Sequence, residues 1–162
     1  MTEKILHFVK ELLWISITAL VTFAILYPVT SKLDYFYWKI NATFIFVSLT
    51  YFRWSVTLRS LPFLHSSALR FALFTLNIPL FFYLLYSLQK IMLKLDNFFT
   101  EDLGFPKVIL FEDLKNELFK YMTTEVVLFG SASLILILAF QVRLIISYWQ
   151  LYKHQANRMM ED

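Results

Sequence analysis

Apolar residues are gathered along this chain into four long runs, with charged and polar residues clustered between them. The runs cover residues 12–27, 39–58, 68–88 and 126–146. Their lengths are close to the roughly 17–25 residues that a transmembrane helix needs, and they are continuous, whereas a membrane β-barrel would show short alternating segments. The pattern predicts an all-α, polytopic integral membrane protein, a bundle of four transmembrane helices that forms a single membrane domain over residues 1–162.

The helix of the first span is expected to begin before its apolar run. Apolar residues at helical spacing precede the run, which places the start of the helix near Thr2, and Pro28 is expected to end it. Lys4 and Lys10 before the run resemble the start of a signal peptide. No small-residue cleavage pattern follows them, so we predict a retained span.

Aromatic and basic residues mark where the spans leave the membrane. Aromatic rings favour the membrane interfaces, and long basic side chains extend their charged ends toward the head groups. Trp38 and Trp54 are about 25 Å apart on a helix that rises about 1.5 Å per residue, close to a hydrocarbon thickness of about 30 Å. Tyr51 is expected at the same interface as Trp54. The predicted interfacial anchors are Trp38, Trp54, Arg53, Arg143 and Trp149.

Residues 89–122 form the longest segment predicted outside the membrane. Two apolar stripes at helical spacing lie on either side of Gly104 and Pro106. They predict two amphipathic helices joined by a turn, a helical hairpin that continues the third and fourth spans. A short strand at residues 108–111 is the alternative. The stripes supply a candidate partner interface: Ile91, Leu95 and Phe98 in the first helix, and Leu114 and Leu118 in the second.

Two polar features lie within the predicted spans. Asn77 precedes Pro79 by two residues, and Pro79 removes a backbone hydrogen bond and should kink the helix. The Asn77 amide either satisfies the freed carbonyl or a neighbouring hydroxyl, or it lines a ligand cavity or contacts a partner subunit. In the fourth span, Gly130 and Ser133 are small residues that permit close helix packing, and we assign them to the candidate partner interface as well.

Composition agrees with a lipid environment and limits the possible chemistry. Hydrophobic residues make up 59% of the chain and charged residues 17%, against roughly 25% charged residues in a soluble domain. There is no cysteine, which excludes disulfides, thiolate catalysis and sulfur-ligated metals. The net charge of +3 suits anionic lipid head groups, and no basic stretch is dense enough to predict nucleic-acid binding.

An even number of spans brings both termini and the 59–67 connection to one side of the membrane. All five arginines fall on that side, whereas the lysines of the other side are mixed with acidic residues. Basic residues near helix ends favour the cytoplasmic side. We therefore predict cytoplasmic N- and C-termini in a bacterial inner membrane.

Candidate chemistry is sparse. No ionisable residue lies near the middle of a predicted span, where transporters and pumps place such groups. No phosphate-binding or nucleophile motif is present, and the histidines are too far apart to predict a haem or metal site. Those histidines are His7, His65 and His154. An acidic cluster is interpreted as a solvated face, with an acid–base pair or a cation site as the alternatives. Its members are Glu101, Asp102, Glu112, Asp113 and Glu117. We predict no enzymatic activity, cofactor or metal.

These observations favour a non-catalytic subunit or accessory protein of a larger membrane complex, with membrane lipids and other membrane subunits as partners. One alternative is a carrier or channel for a lipid or small molecule, with its cavity near Asn77. A second is a membrane-embedded enzyme that uses the acidic segment 101–117. A third rests on layout: with four predicted spans and a small size, the chain is similar to the immunity proteins that protect bacteria from pore-forming toxins.

Overall fold

The computed structural model describes residues 2–31, 37–57, 67–96 and 112–161. Within these ranges the chain is helical, with single turn residues beside two helix ends and no strand. The helices are α1 (Thr2–Thr30), α2 (Trp38–Thr57), α3 (Ser67–Asp96) and α4 (Glu112–Glu161). The all-α prediction is therefore confirmed for the described residues.

Three of the four helices are long and apolar enough to cross a membrane. Their apolar stretches are Phe8–Thr30, Ala68–Leu95 and Phe119–Gln150. α2 is a helix of 20 residues, as expected for the second span, but Lys39, Asn41 and Arg53 make it less apolar than these three stretches. Three of the predicted spans are thus confirmed as helices of membrane-spanning type, and the second is confirmed as a helix only.

Pro28 does not end α1, contrary to the sequence-based expectation, because α1 continues to Thr30. A proline removes one helical hydrogen bond, and here it does so in the last turn, where few such bonds remain to be lost. Hydrogen bonds stabilise that turn. The Thr30 hydroxyl donates to the Leu26 carbonyl at 3.1 Å, and the backbone N–H of Ser31 donates to the Tyr27 carbonyl at 3.0 Å.

The predicted external helices are continuous with the neighbouring spans. α3 passes through Pro79 and ends at Asp96, and α4 begins at Glu112. The extension of spans three and four is therefore confirmed. The turn at Gly104 and the alternative strand at residues 108–111 lie outside the described residues.

The spatial order of the helices places α2 and α4 at the centre of the bundle. α2 and α4 form the most extensive pair, α3 packs on α4, and α1 packs mainly on α2. Ser48 contacts Phe129, and Tyr51 contacts Phe140 further along both helices, so α2 and α4 run parallel.

The outer helices run antiparallel to the helices on which they pack. Arg53 of α2 meets Glu11 near the start of α1. Arg70, near the start of α3, reaches the backbone of Ser147 on α4. Gly130, nearer the start of α4, meets Leu88 nearer the end of α3.

The buried core lies along the α2–α4 interface. The less apolar α2 contributes more to this interior than α1 does, with seven buried residues: Asn41, Phe44, Ile45, Val47, Ser48, Thr50 and Tyr51. The outward faces of the other helices carry large exposed apolar side chains, which suits a surface solvated by lipid.

We name the two ends of the bundle after residues of α2. The Arg53 end contains Arg53, Glu11 and Arg70. The Asn41 end contains Asn41 and Glu125. Along α2 the two naming residues are about 18 Å apart at about 1.5 Å per residue.

Candidate functional sites among the buried polar groups

A hydrogen-bond network in the half of the bundle nearer the Arg53 end joins three helices. The Tyr51 hydroxyl on α2 donates to Oδ1 of Asn77 on α3, and Nδ2 of Asn77 donates to Oε1 of Gln141 on α4 at 3.0 Å. Tyr51 and Asn77 are both buried. Because buried polar groups in an apolar medium must be paired, the network fixes the relative positions of the three helices.

The same network reaches the backbone next to the proline of α3. Nε2 of Gln141 donates to the carbonyl of Phe74 at 3.0 Å, in the turn that precedes Pro79. Sequence reasoning expected Asn77 to satisfy the carbonyl freed by Pro79, which is that of Thr75, or a neighbouring hydroxyl. In the structure Gln141 binds the adjacent carbonyl, that of Phe74, and the hydroxyl that bonds to Asn77 is that of Tyr51, whose ring was expected at a membrane interface. Both polar atoms of the Asn77 side chain are thus engaged within the chain, and its use as a cavity residue stays a prediction.

An ion pair joins α1 and α2 at the Arg53 end. The two terminal guanidinium nitrogens of Arg53 donate to the carboxylate oxygens of Glu11, with the Nη2 contact at 2.6 Å. The guanidinium carbon also lies 5.1 Å from the centre of the Trp14 ring. The two-pronged geometry and the aromatic face both suit arginine rather than lysine. The predicted anchor Arg53 therefore has a defined partner on the neighbouring helix.

Small residues bring α4 close to α2 and α3. A Cβ atom added at Gly130 would lie 2.6 Å from Cδ1 of Leu88, so α3 approaches the α4 backbone closely there. Ser133 is fully buried and bonds to the Gly130 carbonyl at 2.7 Å. The Ser48 hydroxyl donates to the Phe129 carbonyl at 2.9 Å across the α2–α4 interface. The close packing predicted for this segment of α4 therefore occurs within the chain.

A buried carboxyl group lies at the Asn41 end, between α2 and α4. Glu125 is 5% exposed and Asn41 is 0% exposed. The Asn41 amide is near enough to interact with the Glu125 carboxyl, yet neither carboxyl oxygen and neither amide atom has a hydrogen-bond partner that satisfies distance and angle in the described chain. Sequence reasoning missed this site because Glu125 falls one residue before the predicted fourth span. Sequence reasoning assigned no role to Asn41, which lies near the start of α2.

The candidate partner interface is divided between buried and undescribed residues. Ile91 and Leu95 belong to the buried core, and Gly130 and Ser133 are buried between helices. Phe98 lies outside the described residues, as do the side chains of Leu114 and Leu118. The four buried positions face other helices of the same chain, and the use of this set by a partner stays a prediction.

The predicted interfacial anchors lie in different surroundings. Trp38 and Trp149 are exposed, and Lys39 lies 5.8 Å from the Trp38 ring. Arg143 is also exposed. Trp54 is partly buried and packs against the Phe140 ring at 5.7 Å between ring centres. Membrane anchoring by these residues stays a prediction.

The acidic and histidine candidates lie largely outside the described side chains. Glu117 is exposed on α4. Within the described residues, no group of three or more histidine, cysteine or acidic side chains is placed to hold a metal ion. Nothing is described for the following side chains: Glu101, Asp102, Glu112, Asp113, His7, His65 and His154.

The apolar helices and their buried polar contacts define the class of the protein: a helical, multi-pass membrane protein. Comparison with protein-family models, with curated proteins and with solved structures gives no match for this chain.

Proposed function

We propose that this chain is a non-catalytic subunit of a larger membrane protein complex, and that it contacts its partner through the outward face of α3. The observation that carries the proposal is a pair of tyrosines, Tyr83 and Tyr86, exposed within the apolar stretch of α3. α3 also buries the smallest share of its apolar stretch, 17%, against 22% for α1 and 33% for α4.

The two tyrosine hydroxyls have no hydrogen-bond partner among the described residues, and lipid tails offer no acceptor. Tyr83 is 51% exposed and Tyr86 is 65% exposed, and in the described chain neither hydroxyl is hydrogen-bonded. Along α3, Tyr83 is about 20 Å from Arg70, within a hydrocarbon layer of about 30 Å. An unpaired hydroxyl in hydrocarbon costs free energy, whereas a partner helix can accept the hydrogen bond.

Residues beside the tyrosines complete a surface that suits a helix from another chain. Ala72 and Thr75 are exposed on the same face of α3, and the Thr75 hydroxyl donates to a carbonyl of its own helix. Small residues permit close approach of a second helix, and tyrosine is enriched where proteins associate. We call Ala72, Thr75, Tyr83 and Tyr86 the outer α3 face.

In the proposed arrangement, α2 crosses the membrane as a fourth span. Its charged residue Arg53 pairs with Glu11, so the charge is neutralised, and its packing along α4 shields its polar residues from lipid. Both termini then lie at the Arg53 end. The arginines of that end favour its assignment to the cytoplasmic face of a bacterial inner membrane.

Affinity purification in mild detergent tests the subunit proposal. The tagged protein is expected to retain other membrane proteins in fixed stoichiometry, identified by mass spectrometry. Tyr83→Phe with Tyr86→Phe removes only the two hydroxyls and should reduce the amount of partner retained. Tyr27→Phe is the matched control, because Tyr27 is equally exposed on α1, at 58%. A chain that purifies alone would refute the subunit proposal, and full retention by the double variant would refute the assigned surface.

The absence of cysteine makes the orientation directly measurable. Single cysteines placed at exposed positions near each end of the bundle, Lys10 and Lys90, leave no background labelling. In intact cells, an impermeant maleimide should label the Lys90→Cys variant and spare the Lys10→Cys variant. The reverse pattern would overturn the proposed orientation.

A further inference from the structure

Beyond the proposed role as a subunit, we propose that Glu125 and Asn41 form a binding site for a small monovalent cation, with Na⁺ as the best-fitting ion. The site lies at the Asn41 end of the bundle, where the two side chains face each other between α2 and α4. It would make ion binding a condition for the tight packing of these two helices.

The first argument is that no cationic side chain of the described residues pairs with the Glu125 carboxylate. The ion pair that the described residues form joins Arg53 and Glu11 at the opposite end. Lys39, near the start of α2, lies over the Trp38 ring and is exposed. Lys120 is exposed and lies five residues before Glu125, which turns it away from the carboxyl on a helix of about 3.6 residues per turn. A buried carboxylate without a counter-charge is strongly unfavourable.

The second argument is that no neighbouring polar group of the described residues forms a hydrogen bond with the Glu125 carboxyl or the Asn41 amide. Tyr121 lies one turn before Glu125, but its hydroxyl donates to the Ile25 carbonyl at 3.0 Å. Both amide atoms of Asn41 are likewise without hydrogen-bond partners in the described ranges. Buried polar atoms are paired in nearly all proteins, so several such atoms at one end of an interface indicate a missing bound species.

The donor atoms determine which ion fits. Glu125 offers two carboxylate oxygens and Asn41 one carbonyl oxygen, all of which are hard ligands. A single positive charge neutralises the one carboxylate in an apolar environment. Divalent Ca²⁺ takes six to eight oxygens and usually several carboxylates, while zinc and related metals favour nitrogen or sulfur. The set therefore favours an alkali cation, and Asn41 directs its oxygen toward the ion because an amide can turn either way.

Thermal unfolding of the purified full-length chain in detergent tests the proposal. The melting temperature is measured in NaCl and in choline chloride at equal ionic strength. At about ten times the dissociation constant, Na⁺ should raise the melting temperature on the order of 3–6 °C, in a saturable manner. Glu125→Gln should abolish the shift and Asn41→Leu should weaken it. Glu117→Gln is the matched control, because it removes an exposed carboxylate of the same helix and should keep the shift.

Infrared difference spectroscopy on the unmodified chain provides a readout that does not depend on a variant folding. Exchange of choline for Na⁺ should perturb a carboxylate stretching band if Glu125 is an ionised ligand. A protonated carboxylic acid band that is the same in both salts would overturn the proposal and identify a neutral, buried acid. Equal melting temperatures in the two salts, or a Na⁺ shift that survives Glu125→Gln, would overturn it as well. These outcomes are independent of partner retention, so the ion site and the subunit role are refuted separately.

Discussion

Replacement of Asn77 by leucine removes the amide that links α2, α3 and α4 while it keeps a side chain of similar size. Two hydrogen bonds are lost, one from the Tyr51 hydroxyl and one to Gln141. Gln141 retains its contact with the Phe74 carbonyl, so it is only partly deprived of partners. The Tyr51 hydroxyl, by contrast, is left buried without an acceptor among the described residues.

The size of the effect follows from these contacts. Hydrogen bonds between membrane helices contribute about 0.6 kcal/mol on average and up to about 1.7 kcal/mol, and a buried group that loses its partner adds a desolvation cost. We therefore expect Asn77→Leu to lower the free energy of unfolding by about 1–3 kcal/mol. Tyr51→Phe removes one of the two bonds and should cost about half as much. Either single variant already removes the bond between Tyr51 and Asn77. The loss of stability in the double variant should therefore be smaller than the sum of the two single losses.

Unfolding of the purified protein in mixed micelles, followed by circular dichroism, measures these differences. Thr75→Val is the control within the same helix, because the exposed Thr75 hydroxyl bonds only to the Phe71 carbonyl of its own helix. It should change stability by a few tenths of a kcal/mol. Strictly additive effects of Tyr51→Phe and Asn77→Leu would show that the two side chains are not coupled, and the network argument would then be wrong.

Two further predictions concern the helix contacts at either end. Glu11→Gln or Arg53→Gln alone leaves one charge without its partner; since the two side chains are only 20% and 17% exposed, we expect a loss of about 1–3 kcal/mol, below the roughly 3–5 kcal/mol of a fully buried pair. The double variant should recover much of the lost stability, and the control Lys10→Gln should leave stability unchanged. A double variant no more stable than the single variants would contradict the ion pair. Gly130→Ala should change stability by less than about 1 kcal/mol, because the methyl group meets the mobile end of Leu88. Gly130→Leu should cost about 1–3 kcal/mol or more by separating α3 from α4, and equal losses for both would argue against the close approach.

The sequence predicted the helices better than it predicted their inward faces. Long apolar runs identify membrane helices because every backbone group must be satisfied within the helix. When most faces of a helix are apolar, however, periodicity does not show which face meets another helix. Gly130 and Ser133 were recognised as packing residues because they are small. Their contacts inside the chain were not predicted. The polar pattern of Asn77 was similarly visible without its partner Gln141.

Boundary placement explains what was missed at the Asn41 end. The fourth span was predicted to begin just after Glu125, so that residue was counted with the acidic residues outside the membrane. In the structure, α4 passes through this position without interruption and buries the carboxyl against α2. A charged residue one position from an apolar run carries no sequence signal of burial. The carboxyl of Glu125 is buried because α2 packs against it through Asn41.

The polar character of α2 has a consequence for the biosynthesis of this protein. Charged residues oppose membrane insertion, most strongly at the centre of a segment, and α2 carries Lys39 at its start and Arg53 toward its end. Glu11, on a helix synthesised earlier, is already present when Arg53 leaves the ribosome, but the main packing surface on α4 is made last. We therefore expect α2 to enter the bilayer with α1 as a weakly held hairpin and to become stable only when α4 arrives. Chains interrupted before α4 should accordingly be preferred substrates for membrane quality-control proteases.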